Sequence, residues 1–109
     1  IYENPKDDLA NAQTNKYNKL IEFIKPKSGD RVLEIGCGWG GFAEHIAKKY
    51  DIKLDCITIS KKQFEFAQKR IFNAGLNEKV DIKFLDYRDI QGKYDSLASI
   101  EMIEAVGEK

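Results

Sequence analysis

The 109-residue chain has no apolar run approaching the roughly 20 residues that span a bilayer. It has no excess charge of either sign, because eighteen Lys and Arg balance eighteen Asp and Glu. A strongly basic nucleic-acid module is therefore disfavoured, since phosphate binding leaves a cationic excess. Two cysteines, Cys37 and Cys56, are too few for a disulfide-stapled secreted scaffold. They form no CxxC and have no nearby His, so no zinc site is expected. Reduced cytosolic thiols are the expectation. His45 is the only histidine, and no nucleophile motif accompanies it. A Ser-His-Asp or Cys-His site is therefore not expected, and His45 reads as a surface residue of a helix.

What is present suits one modest globular domain, with 42% apolar and 33% charged residues. Residues 7–24 read as a helix, with Leu9, Ala12, Leu20, Ile21 and Ile24 on one face. Lys25-Pro26 stops it, because the residue before Pro avoids the helical region. Residues 31–35 read as a buried strand. A glycine loop follows at 36–41, and Phe42, Ala43, Ile46, Ala47 and Tyr50 then recur at helical spacing. Strands are expected at 54–59, 80–85 and 94–101, and a helix at about 61–74 that ends on Gly75. Strands alternating with helices predict an α/β fold with a largely parallel sheet. Its ligand crevice lies beyond the carboxyl ends of the strands, where four loops converge.

The first loop carries the strongest signal. Gly36, Gly38 and Gly41 satisfy GxGxxG after a strand, which by itself fits a dinucleotide site. Glu34 ahead of the loop, the bulky Trp39 and an extra glycine at Gly40 pull away from that reading. The second loop, Thr58-Ile59-Ser60-Lys61-Lys62-Gln63, offers hydroxyls and an amide where a dinucleotide site would place an acid. Ser60 and Gln63 also form a capping box, so a cap alone and a cap that meets a ligand both stand open. Asp55 reads as a structural mid-strand residue. The third loop offers Asp86 and Tyr87, an acceptor and a ring suited to adenine, or else a solvated turn. The fourth region offers Glu101 and Glu104, either a poised base or carboxylates that favour a helix start.

The segments YENP at 2–5, VLEIGCGWGG at 32–41, TISKKQ at 58–63, DYRD at 86–89 and SIEMIEAVG at 99–107 together resemble one family. It is that of the SAM-dependent cyclopropane-fatty-acyl-phospholipid synthases, which includes the mycolic acid cyclopropane synthases. The resemblance spans nearly the whole chain. It implies a Rossmann-like class I methyltransferase fold and S-adenosyl-L-methionine (SAM) as cofactor. It places Glu34, Gly36, Gly38 and Gly40 around the methionine moiety, and Thr58, Ile59 and Gln63 on the ribose side. It places Asp86 and Tyr87 at the adenine and Ile100 along the cofactor. Glu104 matches a carboxylate that helps hold a bicarbonate ion acting as the base. The implied substrate is the cis double bond of unsaturated phospholipid acyl chains at a membrane surface. The implied location is the cytoplasm, at the inner face of the membrane.

The sequence departs from the family pattern at Ala105, where many relatives have His, and it lacks the family's upstream Cys and downstream His and Tyr. Four strands are expected against the family's seven. Residues 1–109 therefore read as the N-terminal, cofactor-binding half of a longer domain, with both ends looking like cuts and no turnover expected from this half alone. Strand 95–101 is then expected to be an open edge that recruits a second chain.

Overall fold

A computed structural model describes residues 5–99 and 104–106, with side chains over 12–99. In chain order the elements are α1 (Pro5–Ile24), β1 (Arg31–Ile35), α2 (Gly41–Lys49), β2 (Lys53–Thr58), α3 (Lys61–Asn73), β3 (Val80–Phe84), β4 (Ser96–Ser99) and β5 (Glu104–Val106). α1 starts two residues earlier than its apolar spacing implies, at Pro5. Proline suits that place because its fixed φ fits a first helical turn and its missing N–H has no partner there anyway. Ser60 caps α3 as expected, its hydroxyl accepting from the Gln63 N–H at 3.3 Å.

The sheet order is β3-β2-β1-β4-β5. The first four strands are parallel, with Glu34 of β1 opposite both Cys56 of β2 and Ala98 of β4. Val32, Leu33 and Glu34 are all buried, as a strand covered on both faces requires. The chain moves from β1 outward to β3, then crosses back to place β4 on β1's other side. That reversal beside β1 is where an open α/β sheet forms its ligand crevice.

Val32, Leu54, Cys56, Ile82 and Ala98 face one way and meet Leu20, Ile21, Phe42, Ile46, Ala67 and Ile71 of the three helices. The other face carries a polar strap. Asp55 accepts a 2.6 Å hydrogen bond from the Tyr94 hydroxyl and lies 3.4 Å from Arg31 and 3.5 Å from Lys83. The Arg31 guanidinium stacks 4.7 Å over the Tyr94 ring. Asp55 is structural, as expected mid-strand. Burial, and then the bond to Asp55, push the Tyr94 hydroxyl up to about 12 from its ordinary 10.0. A folded-state value above the unfolded one stabilises the fold below pH 10, and the benefit fades as pH rises towards 12. Tyr94→Phe is therefore expected to remove part of the alkaline loss of stability in that window, as read by thermal melts across it.

Two expectations change. The fourth strand is shorter than 94–101, because the Asp95 side chain leaves the strand pattern to accept from the Arg31 N–H at 2.8 Å. Nor is that strand an open edge. β5 pairs with it antiparallel, setting Leu97 opposite Val106, Ala98 opposite Ala105 and Ser99 opposite Glu104. Among the described residues the sheet therefore has five strands rather than four, and Glu104 begins a strand, not a helix. The premise for self-association through 95–101 is lost. Glu101 and Ile100 lie outside the described residues.

Candidate functional site

The loop after β1 crosses the ends of the strands. The Gly36 and Cys37 N–H groups both donate to the Ile57 carbonyl, at 2.9 and 3.1 Å, pinning the loop over the end of β2. Gly36, Gly38 and Gly40 have φ of 75°, 56° and 89°. Residues with a Cβ pay roughly 1–2 kcal/mol in this left-handed region, so the path requires glycine. Beneath the loop lies Glu34, wholly buried, its Oε1 accepting from the Cys56 thiol at 3.2 Å. Burial, and then the nearby Glu34 carboxyl, push the Cys56 thiol well above its usual value. Cys37 is buried as well, although it sits in the loop.

Gly40 and Gly41 serve packing. A Cβ on Gly40 would sit 3.2 Å from the Ala67 Cβ of α3, and one on Gly41 would run into the Tyr17 hydroxyl of α1. The glycine that looked superfluous in the sequence lets α3 approach the loop.

Two clefts flank the loop. One, of about 410 Å³, is lined by Gly36, Thr58, Ile59, Gln63, Asp86 and Tyr87 among others. The other, of about 330 Å³, is lined by Gln13, Lys16, Tyr17, Gly38, Trp39 and Arg70 among others. Gln63 borders both. Its Oε1 accepts from the Thr58 hydroxyl at 3.2 Å, while the Thr58 oxygen accepts from the Ser60 N–H at 3.1 Å. The capping box is thus only half formed: the Gln63 amide turns to Thr58 rather than back to the Ser60 N–H. Asp86 caps the single helical turn at Tyr87–Asp89. It also accepts from the Arg88 guanidinium at 3.1 Å, and Arg88 holds its carboxyl below the usual range. Ile59 and Tyr87 form the rim, 75% and 53% exposed.

Six of the expected residues therefore meet in one cleft: Gly36, Thr58, Ile59, Gln63, Asp86 and Tyr87. Gly38 lines the other cleft. Glu34 and Gly40 line neither, one lying under the loop and the other against α3. Glu104 stands opposite Ser99, at the same end of the sheet as the loop. Sequence reasoning missed Gln13, Lys16 and Tyr17. The signal for Tyr17 was available, since it lies three and four residues before Leu20 and Ile21 on the apolar face. Burial raises the Tyr17 hydroxyl's pKa, Arg70 opposes that and Glu34 reinforces it. His45 joins α2 to α1 through Asn18 at 2.9 Å, a packing role.

A family model described as mycolic acid cyclopropane synthetase matches residues 1–109. The chain belongs to this family. It is 42% identical over 108 residues to a cyclopropane-fatty-acyl-phospholipid synthase of Escherichia coli, covering 99% of this chain and 27% of that protein. It is 40% identical over 108 residues to a probable fatty acid methyltransferase of Pseudomonas putida, covering 97% of this chain and 27% of the relative. The chain thus spans about a quarter of the length of these relatives. Among solved structures it is similar to a mycolic acid cyclopropane synthase complexed with SAH and CTAB. That match has 25% identity and a TM-score of 0.78, over 85% of this chain and 33% of that one. Family membership agrees with the partial Rossmann-like sheet seen here, whose parallel strands meet the glycine loop at their carboxyl ends.

Proposed function

We propose that the protein is a SAM-dependent methyltransferase of the cyclopropane-synthase type, acting on cis double bonds in unsaturated phospholipid acyl chains. One observation carries this reading. The glycine loop, the Thr58–Gln63 turn and Asp86-Tyr87 converge on a single cleft in a chain that matches the family over its whole length. The cleft fits the cofactor chemically. Its volume lies in the range of small-molecule sites, and it combines apolar rims with a few polar groups. When bound, SAM supplies an electrophilic methyl on a sulfonium.

The chain's own residues bind and orient. Gly36 and Gly38 let the main chain lie against the methionine end, with Glu34 and Gly40 supporting the loop. Thr58, Ile59 and Gln63 meet the ribose. Asp86 accepts from the adenine amino group, and Tyr87 and Ile100 supply apolar surface. Glu104, at the loop's end of the sheet, would hold a bicarbonate, which when bound would supply a base there. An uncharged double bond is a weak nucleophile, so close positioning supplies much of the rate. Residues 1–109 form the cofactor-binding half of the domain, which works in the cytoplasm at the membrane's inner face. No described helix is long and apolar enough to cross a membrane, so contact with lipid is peripheral in this reading.

The Pseudomonas putida relative favours a second reading, methylation of an acyl chain without ring closure. The full-length protein, given methyl-labelled SAM and vesicles of unsaturated phospholipid, is expected to yield labelled cyclopropane acyl chains. Labelled branched chains would select the second reading, and no label in lipid would overturn both. Calorimetry addresses the cofactor separately: SAM is expected to bind and NAD is not. NAD binding without SAM binding would make this a dinucleotide module instead.

A further inference from the structure

The second cleft beside the glycine loop has no carboxylate in its lining. Two cations reach it from different helices, Lys16 of α1 and Arg70 of α3, and the Tyr17 hydroxyl and the Gln13 amide stand with them. Lys16 and Tyr17 are half-buried. Among the described residues Lys16 has no ion pair and the Tyr17 hydroxyl no hydrogen bond. Withdrawing such groups from water without a partner is costly, and a bound anion would offset that cost.

Arg70 is fixed from two sides. Its Nε donates to Glu44 of α2 at 2.6 Å, and its Nη1 donates to the Trp39 carbonyl at 3.5 Å. Among the described residues its Nη2 donates to none, so one arm of the guanidinium fork stays open. Glu44 does not neutralise Arg70 alone, since Lys48 shares it at 2.8 Å. One carboxylate thus meets two cations, and positive charge is left over. Glu34 lies beneath the loop, where its Oε1 accepts from the Cys56 thiol. On a chain of zero net charge, this cleft is a local positive site.

We propose that this cleft is an anion subsite, in which Lys16, Tyr17 and Arg70 hold either the carboxylate of SAM or the phosphate of the phospholipid. The Lys16 ammonium and the open arm of Arg70 donate to the group's oxygens, and the Tyr17 hydroxyl donates from beside Gly41. Hydrogen bonds to a charged partner are roughly twice as strong as neutral ones. The identity of the ligand rests on the proposed function, because both groups belong to that reaction. The carboxylate fits because Gly38 lines this cleft and Gln63 joins it to the first. The headgroup phosphate fits because Trp39, on the same lining and 50% exposed, offers a lipid an apolar ring.

Calorimetry of the full-length protein with inorganic phosphate tests the subsite without cofactor or lipid. The wild type is expected to bind phosphate, K16M to weaken that binding at least about tenfold, and K16R to retain it. K19M alters an exposed lysine of the same helix outside the cleft and is expected to change nothing. A wild type that binds no phosphate, or K16M that binds it as well as the wild type, overturns the proposal. Two further measurements separate the sources. If K16M lowers the preference for SAM over decarboxylated SAM by about tenfold, the occupant is the cofactor's carboxylate. If K16M instead raises KM for vesicles of unsaturated phosphatidylglycerol by about tenfold at constant kcat, the occupant is the headgroup phosphate. Neither change, in a protein that methylates lipid, overturns the proposal while the catalytic reading stands. Lysine-dependent phosphate binding in a protein that binds no SAM would overturn the catalytic reading and leave the anion subsite.

Discussion

Gly40→Ala is expected to destabilise the fold by about 2–3 kcal/mol and to weaken SAM binding by roughly tenfold or more. Two costs add. The first is the conformation, because φ is +89° at Gly40. The second is space. The new Cβ would sit 3.2 Å from the Ala67 Cβ and 3.4 Å from the Ala67 Cα, so the backbone of α3 must shift. Gly29→Ala separates them, since Gly29 has the same φ of +89° but nothing within 4 Å of an added Cβ. It is expected to show only the conformational cost, about 1–2 kcal/mol, with SAM affinity unchanged. Urea unfolding and SAM calorimetry on both variants read the difference. Equal stability losses in the two would show that α3 does not press on the loop. Unaltered SAM affinity in Gly40→Ala would separate the loop's path from the cofactor.

Phe42→Ala is expected to cost about 3–5 kcal/mol, a large part of the 5–15 kcal/mol that holds a typical domain folded. Phe42 is 1% exposed and is the second residue of α2, just after the glycine loop. Its ring meets the edge of the Tyr17 ring at 5.7 Å, so it joins α2 to α1. The deletion leaves a cavity between the helices and removes the support behind Tyr17. Phe66 offers the contrast. It is 52% exposed and touches Trp39 edge-on at 5.4 Å. Phe66→Ala is expected to cost less than about 1 kcal/mol. The midpoint of urea unfolding should fall strongly for Phe42→Ala, with its slope unchanged. A small shift there would mean that α1 and α2 close over the gap.

Much of the fold was legible because its signals are local. Arg31–Ile35 reads as a strand from five residues, and the strand seen has the same bounds. Ser60 announces the start of α3, and Gly75, with φ of 75°, follows its end. The glycine loop was legible for the same reason, since three positive φ values in five residues require glycine whatever surrounds them.

The failures share a different cause. β5 was not foreseen because Glu101 and Glu104 favour a helix start in isolation, while strand pairing is made by backbone groups that any residue carries. Gly40 could not be separated from the ligand-facing glycines, because Ala67 lies 27 residues later and meets it only through the packing of α3. Gln13 and Lys16 sit on a helix surface with nothing to mark them until α1 packs beside Gly38 and Trp39.

By itself, then, the sequence determined the order of helices and strands as far as β4, the glycine loop and the family. Those rest on side-chain periodicity, caps and backbone sterics, each settled within a few residues. Tertiary structure alone decided that Gly36 lines one cleft and Gly38 the other, that Glu34 lies beneath the loop, and that β5 pairs with β4. Those outcomes depend on hydrogen bonds and packing between segments far apart in the chain, where the deciding group is a main-chain carbonyl or a neighbour's methyl. The absence of excess charge was legible from the start. Only the sheet order sets β3, with Asp81 and Lys83, at one end of the described strands.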